Sequence, residues 1–310
     1  MAGRGEKIGI EKETDEAVLN KSISTVQTID VAAAETVLKE AKEIMDRLGV
    51  VFFLRQGTCL GAIRDNKFIT WDDDVDIGSV IGLHGLTEGT IDRVVAAFRD
   101  RGFISEVQRH THDIYVPLVK SSTRIDWNCS RIFGDSTFHF PGVHIPVGVF
   151  TQLKEIDFVG ERFLVPDPPE EYLRFKYGPD WMTPKKTGYV EDVIQMIPEA
   201  PLPGYAGSLR QFLTTHMLPW RAARLRVNDH EGKPVSGAEV VVVGVGRFKT
   251  NRRGYAKLYV PQKDWFYALI IRFDDHEEML YEERIRSGRS YNYKPDPSEP
   301  VGRLLVLSPE

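Results

Sequence analysis

Cysteine is scarce in this chain, which has only Cys59 and Cys129 among its 310 residues. Two cysteines cannot build a disulfide framework or a four-cysteine metal site. Long apolar runs are absent as well, because the most apolar stretches, 240–245 and 266–271, fall far below the ~20 residues that span a bilayer. Residues 1–16 contain no apolar segment of the kind that a secretory signal needs. These absences predict no membrane insertion and a cytoplasmic location.

An excess of positive charge is also missing. Lys and Arg number 40 against 45 Asp and Glu, so the formal net charge is −5. This argues against a general nucleic-acid binder, which normally carries a basic excess. The charge is uneven, with −7 in residues 1–222 and +2 in residues 223–310. Walker A, dinucleotide and Gly-x-Ser-x-Gly motifs are absent, so P-loop, dinucleotide-binding and serine hydrolase chemistry are not supported.

Four segments can be distinguished along the chain. Residues 1–28 are polar and aperiodic, which predicts a disordered tail. Residues 29–198 interleave helical and strand patterns, which predicts an α/β or α+β domain. Residues 199–222 are rich in Pro and Gly and are predicted to form a linker. Residues 223–310 contain short strand patterns separated by turn residues, which predicts a small all-β sandwich.

The best-defined element of the larger domain is a helix that Asp30 caps and Gly49 ends, since apolar residues recur between them at helical spacing. The other predicted elements are a strand at Val50–Leu54, a strand within Phe68–Gly78, a helix at Ile91–Arg101, strands at Asp113–Val119 and Arg124–Asn128, and a helix between Asp167 and Gly178.

An acidic segment at residues 71–77, WDDDVDI, carries the most chemical information. If it is extended, period-two alternation places Asp72, Asp74 and Asp76 on one face and the apolar neighbours on the other. Three like charges on one face repel unless a divalent cation neutralises them, and hard carboxylate oxygens suit Mg²⁺ or Mn²⁺. A cation of this kind commonly serves a phosphate-bearing substrate.

Other interpretations of these acidic residues stay open. A run of carboxylates is most often a solvated turn without a ligand. An EF-hand calcium loop is excluded, because Ile77 and Leu83 stand where such a loop needs glycine and glutamate. Asp126 lies between two apolar residues of a predicted strand, and it is either a hydrogen-bonded structural residue or part of the same site.

A Gly57-Thr58 turn after a helix and a strand, an Asp-x-Asp strand and a third Asp on a later strand resemble the nucleotidyltransferase superfamily typified by DNA polymerase β. More closely, residues 57–78, GTCLGAIRDNKFITWDDDVDIG, resemble the signature of the LicD/fukutin family, with Cys59 in place of the usual apolar residue. The resemblance covers roughly residues 30–190. It implies an α+β fold in which a mixed sheet and helices form the nucleotidyltransferase domain.

The resemblance also implies an activity. LicD-like proteins typically move phosphocholine or a polyol phosphate from a CDP-activated donor to a glycan or related hydroxyl. Asp74 and Asp76 are then implied as catalytic residues that hold Mg²⁺ or Mn²⁺, with Asp72 as a further metal carboxylate. Asp126 is implied as a third catalytic carboxylate, either a metal ligand or the base that receives the acceptor proton.

Five residues are candidate substrate ligands. The backbone amides of Gly57 and Thr58, with the Thr58 hydroxyl, are predicted to bind phosphate oxygens. Arg64 and Lys67 either neutralise charge on the leaving nucleotide or are surface cations that pair with the acidic segment. Arg124 is either a phosphate ligand or a salt-bridge partner of the nearby carboxylates.

In the C-terminal segment, residues 229–240 (DHEGKPVSGAEV) and 250–256 (TNRRGYA) resemble the carboxypeptidase regulatory-like β-sandwich. The resemblance implies an accessory domain, and the sequence does not indicate its partner.

Two rival functions stay open for the whole chain. One is nucleotidyl transfer from a nucleoside triphosphate, and the other is non-catalytic glycan binding or scaffolding. A glycosyltransferase is disfavoured, because it would lack the Gly-Thr turn and the third carboxylate.

Overall fold

A computed structural model of the chain describes residues 14–24, 27–110, 112–186, 189–197, 222–260, 264–295 and 305–306. The chain divides into two compact units, Met1–Thr137 with Pro146–Tyr172, and Phe138–Ile145 with Leu173–Glu310. No helix of the described ranges is long and apolar enough to cross a membrane. The predicted linker lies outside the described residues, apart from Ala222 at its end.

The described elements up to residue 177 are, in chain order, α1 (Asp15–Ser24), α2 (Val31–Arg47), β1 (Phe53–Leu54), α3 (Gln56–Asp65), β2 (Val75–Val80), α4 (Glu88–Asp100), β3 (Ile104–Ser105), β4 (Gln108–Arg109), β5 (Asp113–Lys120), β6 (Thr123–Ser130), β7 (Ile132–Phe133), β8 (Ser136–His139), β9 (Val143–Pro146), α5 (Gly148–Thr151), β10 (Leu153–Phe158), β11 (Glu161–Pro166) and α6 (Pro169–Tyr177).

The first unit is built on a six-stranded mixed sheet with the order β1-β2-β6-β5-β3, in which β4 also pairs with β5. The two strands predicted at Asp113–Val119 and Arg124–Asn128 are present as β5 and β6, which pair antiparallel, and β6 runs parallel to β2. On one face of this pair the side chains are fully buried, among them Ile114, Val116, Ile125 and Trp127. Alternation therefore directs Asp126 to the opposite, partly exposed face.

Helix α2 confirms the prediction from its periodicity and its cap. Asp30 Oδ1 accepts hydrogen bonds from the backbone N–H groups of Ala32 and Ala33 at 3.0 and 3.2 Å. The apolar stripe between Ala34 and Met45 is buried. The predicted helix in the middle of the unit is confirmed as α4, and the one that follows Asp167 is confirmed as α6.

Helix α1 lies inside the segment that was predicted to be a disordered tail, so that prediction was wrong for Asp15–Ser24. Its Leu19 is buried, and the Ser22 carbonyl accepts a hydrogen bond from Arg124 Nη1 at 2.5 Å. These contacts join residues about a hundred positions apart, and local composition carries no signal for them.

The strand predicted within Phe68–Gly78 begins only at Val75, and residues 71–74 form a turn and a bend. The backbone N–H of Asp72 donates to the Ile69 carbonyl at 3.1 Å, which closes the turn. Consecutive Asp residues favour turns over strands, because their side chains compete for backbone hydrogen bonds.

The second unit contains α7 (Tyr189–Met196), followed by β12 (Ala222–Val227), β13 (Glu239–Val242), β14 (Gly246–Lys249), β15 (Tyr255–Tyr259), β16 (Asp264–Phe273), β17 (His276–Arg286), β18 (Ser290–Tyr293) and β19 (Leu305–Val306). The strands form two four-stranded sheets, β15-β12-β18-β19 and β14-β13-β16-β17, and buried side chains of both sheets share one hydrophobic cluster. This region and the mixed first unit are compatible with the predicted α+β class.

Candidate active site

Three carboxylates converge where the turn at residues 71–74 enters β2. One oxygen each of Asp72, Asp74 and Asp76 lies within 4.8 Å of the others. Asp76 is buried in the strand, whereas Asp72 and Asp74 are half-buried in the segment before it. The predicted set of three is therefore brought together, although by a turn and a strand rather than by one continuous strand. We call these three residues the acidic cluster.

The start of α3 lies directly against the acidic cluster. The Gly57 N–H donates to Asp76 Oδ2 at 3.1 Å, and Gln56 Nε2 donates to Asp76 Oδ1 at 2.9 Å. The positive end of the helix thus faces carboxylates. Gln56 has a φ of +40°, in the left-handed region that non-glycine residues rarely adopt, and its N–H donates to Tyr172 Oη at 3.0 Å.

Gly57 and Thr58 were predicted to form a phosphate-binding turn, but both lie in the first turn of α3. A Cβ added at Gly57 would lie 2.0 Å from Asp72 Oδ2, so only glycine lets this carboxylate approach the helix. Thr58 is buried, and its Oγ1 accepts a hydrogen bond from the Asp76 N–H at 2.8 Å. In this structure the two residues hold the acidic cluster in place.

Asp126 lies beside the cluster on the neighbouring strand. β2 and β6 run in parallel, and Asp76 pairs with Asp126 in their register. The Tyr115 hydroxyl, from β5, donates to Asp126 Oδ1 at 2.8 Å. The structure therefore brings the four sequence-predicted carboxylates to one place.

Arg124 is the cation that contacts several carboxylates of the site. Its Nη2 donates to Asp74 Oδ2 at 2.5 Å and to Asp73 Oδ2 at 3.0 Å, and its Nε lies 3.1 Å from Asp126 Oδ1. Of the two roles left open by the sequence, the structure shows the salt-bridge role. A buried guanidinium that contacts three carboxylates offsets part of their mutual repulsion.

Arg64 and Lys67 take no part in these contacts. Arg64 donates to the neighbouring Asp65 from Nε at 3.0 Å and from Nη2 at 2.7 Å, and Lys67 is exposed. Within the described part of the chain, no hydrogen bond or ion pair joins either cation to the acidic cluster. The pairing with the acidic segment that was considered for both residues is therefore absent from the described contacts.

Two residues of the site were missed by sequence reasoning. Arg55 is only 7% exposed, and its positive charge lowers the pKa of Asp76, although burial and the other carboxylates outweigh this effect. Tyr115 positions Asp126 through its hydroxyl. The available signal for Arg55 was a charged residue at the end of a buried strand, next to the Gly57-Thr58 pair. The available signal for Tyr115 was its position in the strand that pairs with the strand of Asp126.

Three carboxylates of the site, Asp72, Asp76 and Asp126, have raised pKa values and hold protons more tightly than ordinary ones. Burial, and then the charges of Asp74 and Asp73, raise the pKa of Asp72 to about 7. Burial, and then Asp74, also raise the pKa values of Asp76 and Asp126 well above the usual range. A divalent cation would remove this cost by replacing the protons. The hard oxygen donors and the close approach that Gly57 permits fit Mg²⁺ or Mn²⁺.

The segment that carries this geometry is similar to known proteins. Residues 49–167 match the family model "LicD/FKTN/FKRP, nucleotidyltransferase domain". Human ribitol-5-phosphate transferase FKTN is 28% identical over 168 residues, which cover 50% of this chain and 34% of the relative. The Macaca fascicularis protein of the same name gives the same values. The chain thus spans about a third of the length of these curated relatives. The matches support the LicD family for the segment that contains the acidic cluster and Asp126.

Proposed function

We propose that this chain transfers a substituted phosphate from a CDP-activated donor to a hydroxyl of a glycan or polyol. The observation that carries the proposal is the convergence of the acidic cluster with Asp126, inside the segment that matches the LicD domain. Among the possible head groups, a polyol phosphate is favoured over phosphocholine, because the relatives are named as ribitol-5-phosphate transferases.

The proposal includes a divalent cation, Mg²⁺ or Mn²⁺, held by Asp74 and Asp76 with Asp72 beside them. When bound, such an ion neutralises charge on the diphosphate of the donor. The chain itself supplies the carboxylates at fixed positions, since Gly57 and Gln56 hydrogen-bond to Asp76. Arg124 already contacts Asp74 and is placed to offset further negative charge.

Asp126 is proposed as the base. The acceptor oxygen forms a bond to the phosphorus that carries the head group, the phosphoanhydride bond breaks, CMP leaves, and the acceptor proton passes to Asp126. Burial raises the pKa of Asp126, so its ionised form is a stronger base than an exposed carboxylate. The Tyr115 hydroxyl fixes the orientation of the same carboxylate.

The test is a transfer assay with CDP-ribitol, Mg²⁺ and a glycan acceptor, with CMP release and the acceptor mass as readouts. Asp74→Asn and Asp76→Asn are expected to lose about 100-fold or more in kcat/KM, since several kcal/mol of charge stabilisation are removed and each 1.36 kcal/mol is tenfold. The matched control is Asp100→Asn, an exposed carboxylate at the end of α4. It should retain full activity.

The same assay separates the rival functions. If the protein releases pyrophosphate from CTP and transfers CMP to the acceptor, its activity is nucleotidyl transfer and the proposal is wrong. Failure to bind or convert any nucleotide would replace it by a non-catalytic glycan-binding protein.

We also propose that residues 223–310 form an accessory domain of the carboxypeptidase regulatory-like type. Two turns within its motif residues support this proposal. Asp229 Oδ1 accepts from the N–H groups of Glu231 and Lys233 at 2.9 and 2.8 Å. Gly254 has a φ of +77°, and a Cβ there would lie 2.8 Å from the Val227 carbonyl oxygen, so the turn requires glycine.

A further inference from the structure

The two sheets of the second unit have very different outer faces. On the outside of the β13-β16 sheet, Val241, Val243 and Ile270 form an apolar cluster with Ile194 of α7. On β12 and β15, alternation directs Leu225, Ala256 and Leu258 into the core and leaves polar residues outside. One outer face is thus covered by apolar packing, whereas the other presents charged and aromatic groups to solvent.

The outward residues Arg224, Arg226, Tyr255 and Lys257 define a surface that we call the basic face. Arg224 pairs with Lys257 and Arg226 with Tyr255 in the register of β12 and β15. The guanidinium carbons of Arg224 and Arg226 lie 5.1 and 5.5 Å from the centroid of the Tyr255 ring. One ring therefore holds two guanidinium groups side by side through cation–π contacts.

The basic face has an excess of positive charge among the residues that the structure describes. Within the described residues, none of its three cations has a carboxylate partner, and the buried Nε of Arg226 has no hydrogen-bond acceptor. Other arginines of this unit do have partners. Arg284 Nε, for example, donates to Asp264 Oδ1 at 2.8 Å. Adjacent cations without counter-charges repel each other, so the basic face favours an anionic partner.

We propose that the basic face binds the phosphate groups of a glycan chain that carries phosphodiesters. This inference rests on the proposed function, because a polyol phosphate transferase elongates or modifies such a chain. Guanidinium groups match phosphate bidentately, and the Tyr255 ring fixes their positions. A nucleic acid is disfavoured, because residues 223–310 carry a net charge of only +2 and not the strong basic excess of nucleic-acid-binding domains. A membrane is disfavoured because the basic face offers no apolar side chain for insertion.

Binding at this face would tether the acceptor chain and raise its effective concentration for transfer. The tether should act on long phosphate-bearing acceptors only. For the double variant Arg224→Ala/Arg226→Ala we expect KM for a polymeric acceptor to rise at least tenfold. The kcat and KM for a short neutral acceptor should stay unchanged.

The direct test measures binding of the full chain to immobilised poly(ribitol phosphate) without any nucleotide donor. Wild type is expected to bind in a salt-sensitive manner, and Arg224→Ala/Arg226→Ala should bind at least tenfold more weakly. Lys257→Ala, a second exposed variant, should lose a smaller part. The matched control is Arg284→Ala, because Arg284 also lies over an aromatic ring, 5.9 Å from the Phe266 centroid, but pairs with Asp264.

Equal binding by wild type and the Arg224/Arg226 variant would overturn the proposal. So would tighter binding to anionic phospholipid vesicles or to single-stranded DNA than to the polymer. Because no donor is present, Asp76→Asn should bind the polymer like wild type. If the wild-type protein binds the polymer but shows no transfer, the result counts against the proposed function alone. If it shows transfer but does not bind the polymer, the result counts against the basic face alone.

Discussion

A residue without a functional side chain, Gly57, is decisive for the shape of this site. Gly57 contributes no functional group, yet its missing Cβ leaves the space that an Asp72 oxygen occupies, and its N–H holds Asp76. Two hydroxyls help to place the carboxylates: the Thr58 Oγ1 accepts from the Asp76 backbone N–H, and the Tyr115 hydroxyl donates to Asp126. The site thus combines neutral hydrogen-bond partners with the buried Arg124 guanidinium, which offsets part of the negative charge.

Gly57→Ala is predicted to displace Asp72 and to lower transfer activity by about 100-fold, in line with the large effect of small displacements at catalytic groups. The control is Gly89→Ala in α4, where an added Cβ meets no atom within 4 Å. This exposed helical substitution should leave activity intact and raise the free energy of unfolding by about 0.5–1 kcal/mol. Steady-state kinetics and urea unfolding of both variants provide the check. Full activity of Gly57→Ala would contradict the assigned role of Gly57.

Tyr115→Phe is predicted to shift the pH profile of transfer. The Tyr115 hydrogen bond lowers the pKa of Asp126, although burial keeps the net shift upward. Its loss raises that pKa further, because a hydrogen bond to the ionised carboxylate favours that form. A base must be ionised, so the acid limb of kcat/KM should move to higher pH. Tyr259→Phe in the second unit is the control, and an identical acid limb in Tyr115→Phe would refute Asp126 as the base.

At the scale of helices and strands, prediction from the sequence succeeded where the residues that determine an element lie within that element. Helix α2 has its cap and its apolar stripe within eighteen residues, and the β5–β6 pair alternates clearly. The prediction of secondary structure failed where an element depends on contacts with residues that are distant in the sequence. Helix α1 contacts Arg124 of the distant strand β6, and the expected strand at residues 71–74 is a turn and a bend instead.

Asp30→Ala is predicted to lower the free energy of unfolding by about 1 kcal/mol, because two backbone N–H groups of α2 lose their acceptor. Asp30→Ser should retain most of the stability, since its hydroxyl also caps. The measurement is urea-induced unfolding followed by circular dichroism. A loss in the serine variant as large as in the alanine variant would show that capping is not the cause.

At the scale of the molecule, the site depends on chain segments that lie far apart in sequence. The acidic cluster, Asp126 and Arg124 meet because β2 and β6 pair in parallel across a crossover that contains α4. In the second unit, Arg224, Arg226 and Lys257 lie together on the outer face of one sheet, on the neighbouring strands β12 and β15.

The stability of the cation-free protein is predicted to fall as pH rises from about 4 to about 7. The folded-state pKa of Asp72 is about 7, above its unfolded value, so the folded state binds more protons in this interval and loses that advantage as they dissociate. Saturating Mg²⁺ should abolish the decline, with about 2.7 kcal/mol of stabilisation at a hundredfold excess over Kd. Thermal unfolding at pH 5 and 7.5, with EDTA or Mg²⁺, tests this.

Two variants complete that experiment. Asp76→Asn should lose the stabilisation by Mg²⁺, whereas Asp100→Asn should keep it. An unfolding temperature of wild type that does not respond to Mg²⁺ at pH 7.5 would exclude the acidic cluster as a cation site under these conditions.

The sequence by itself determined which residues are acidic, that Asp76 and Asp126 lie on strands, and which family signature they resemble, because these properties are local. Only the tertiary structure decided that Arg124 and Arg55, rather than Arg64 and Lys67, lie among the carboxylates. Pairing between β2 and β6 sets the neighbours of Asp76, and the two strands are separated by more than forty residues. Such long-range register depends on how the whole sheet packs, and no window of sequence contains it.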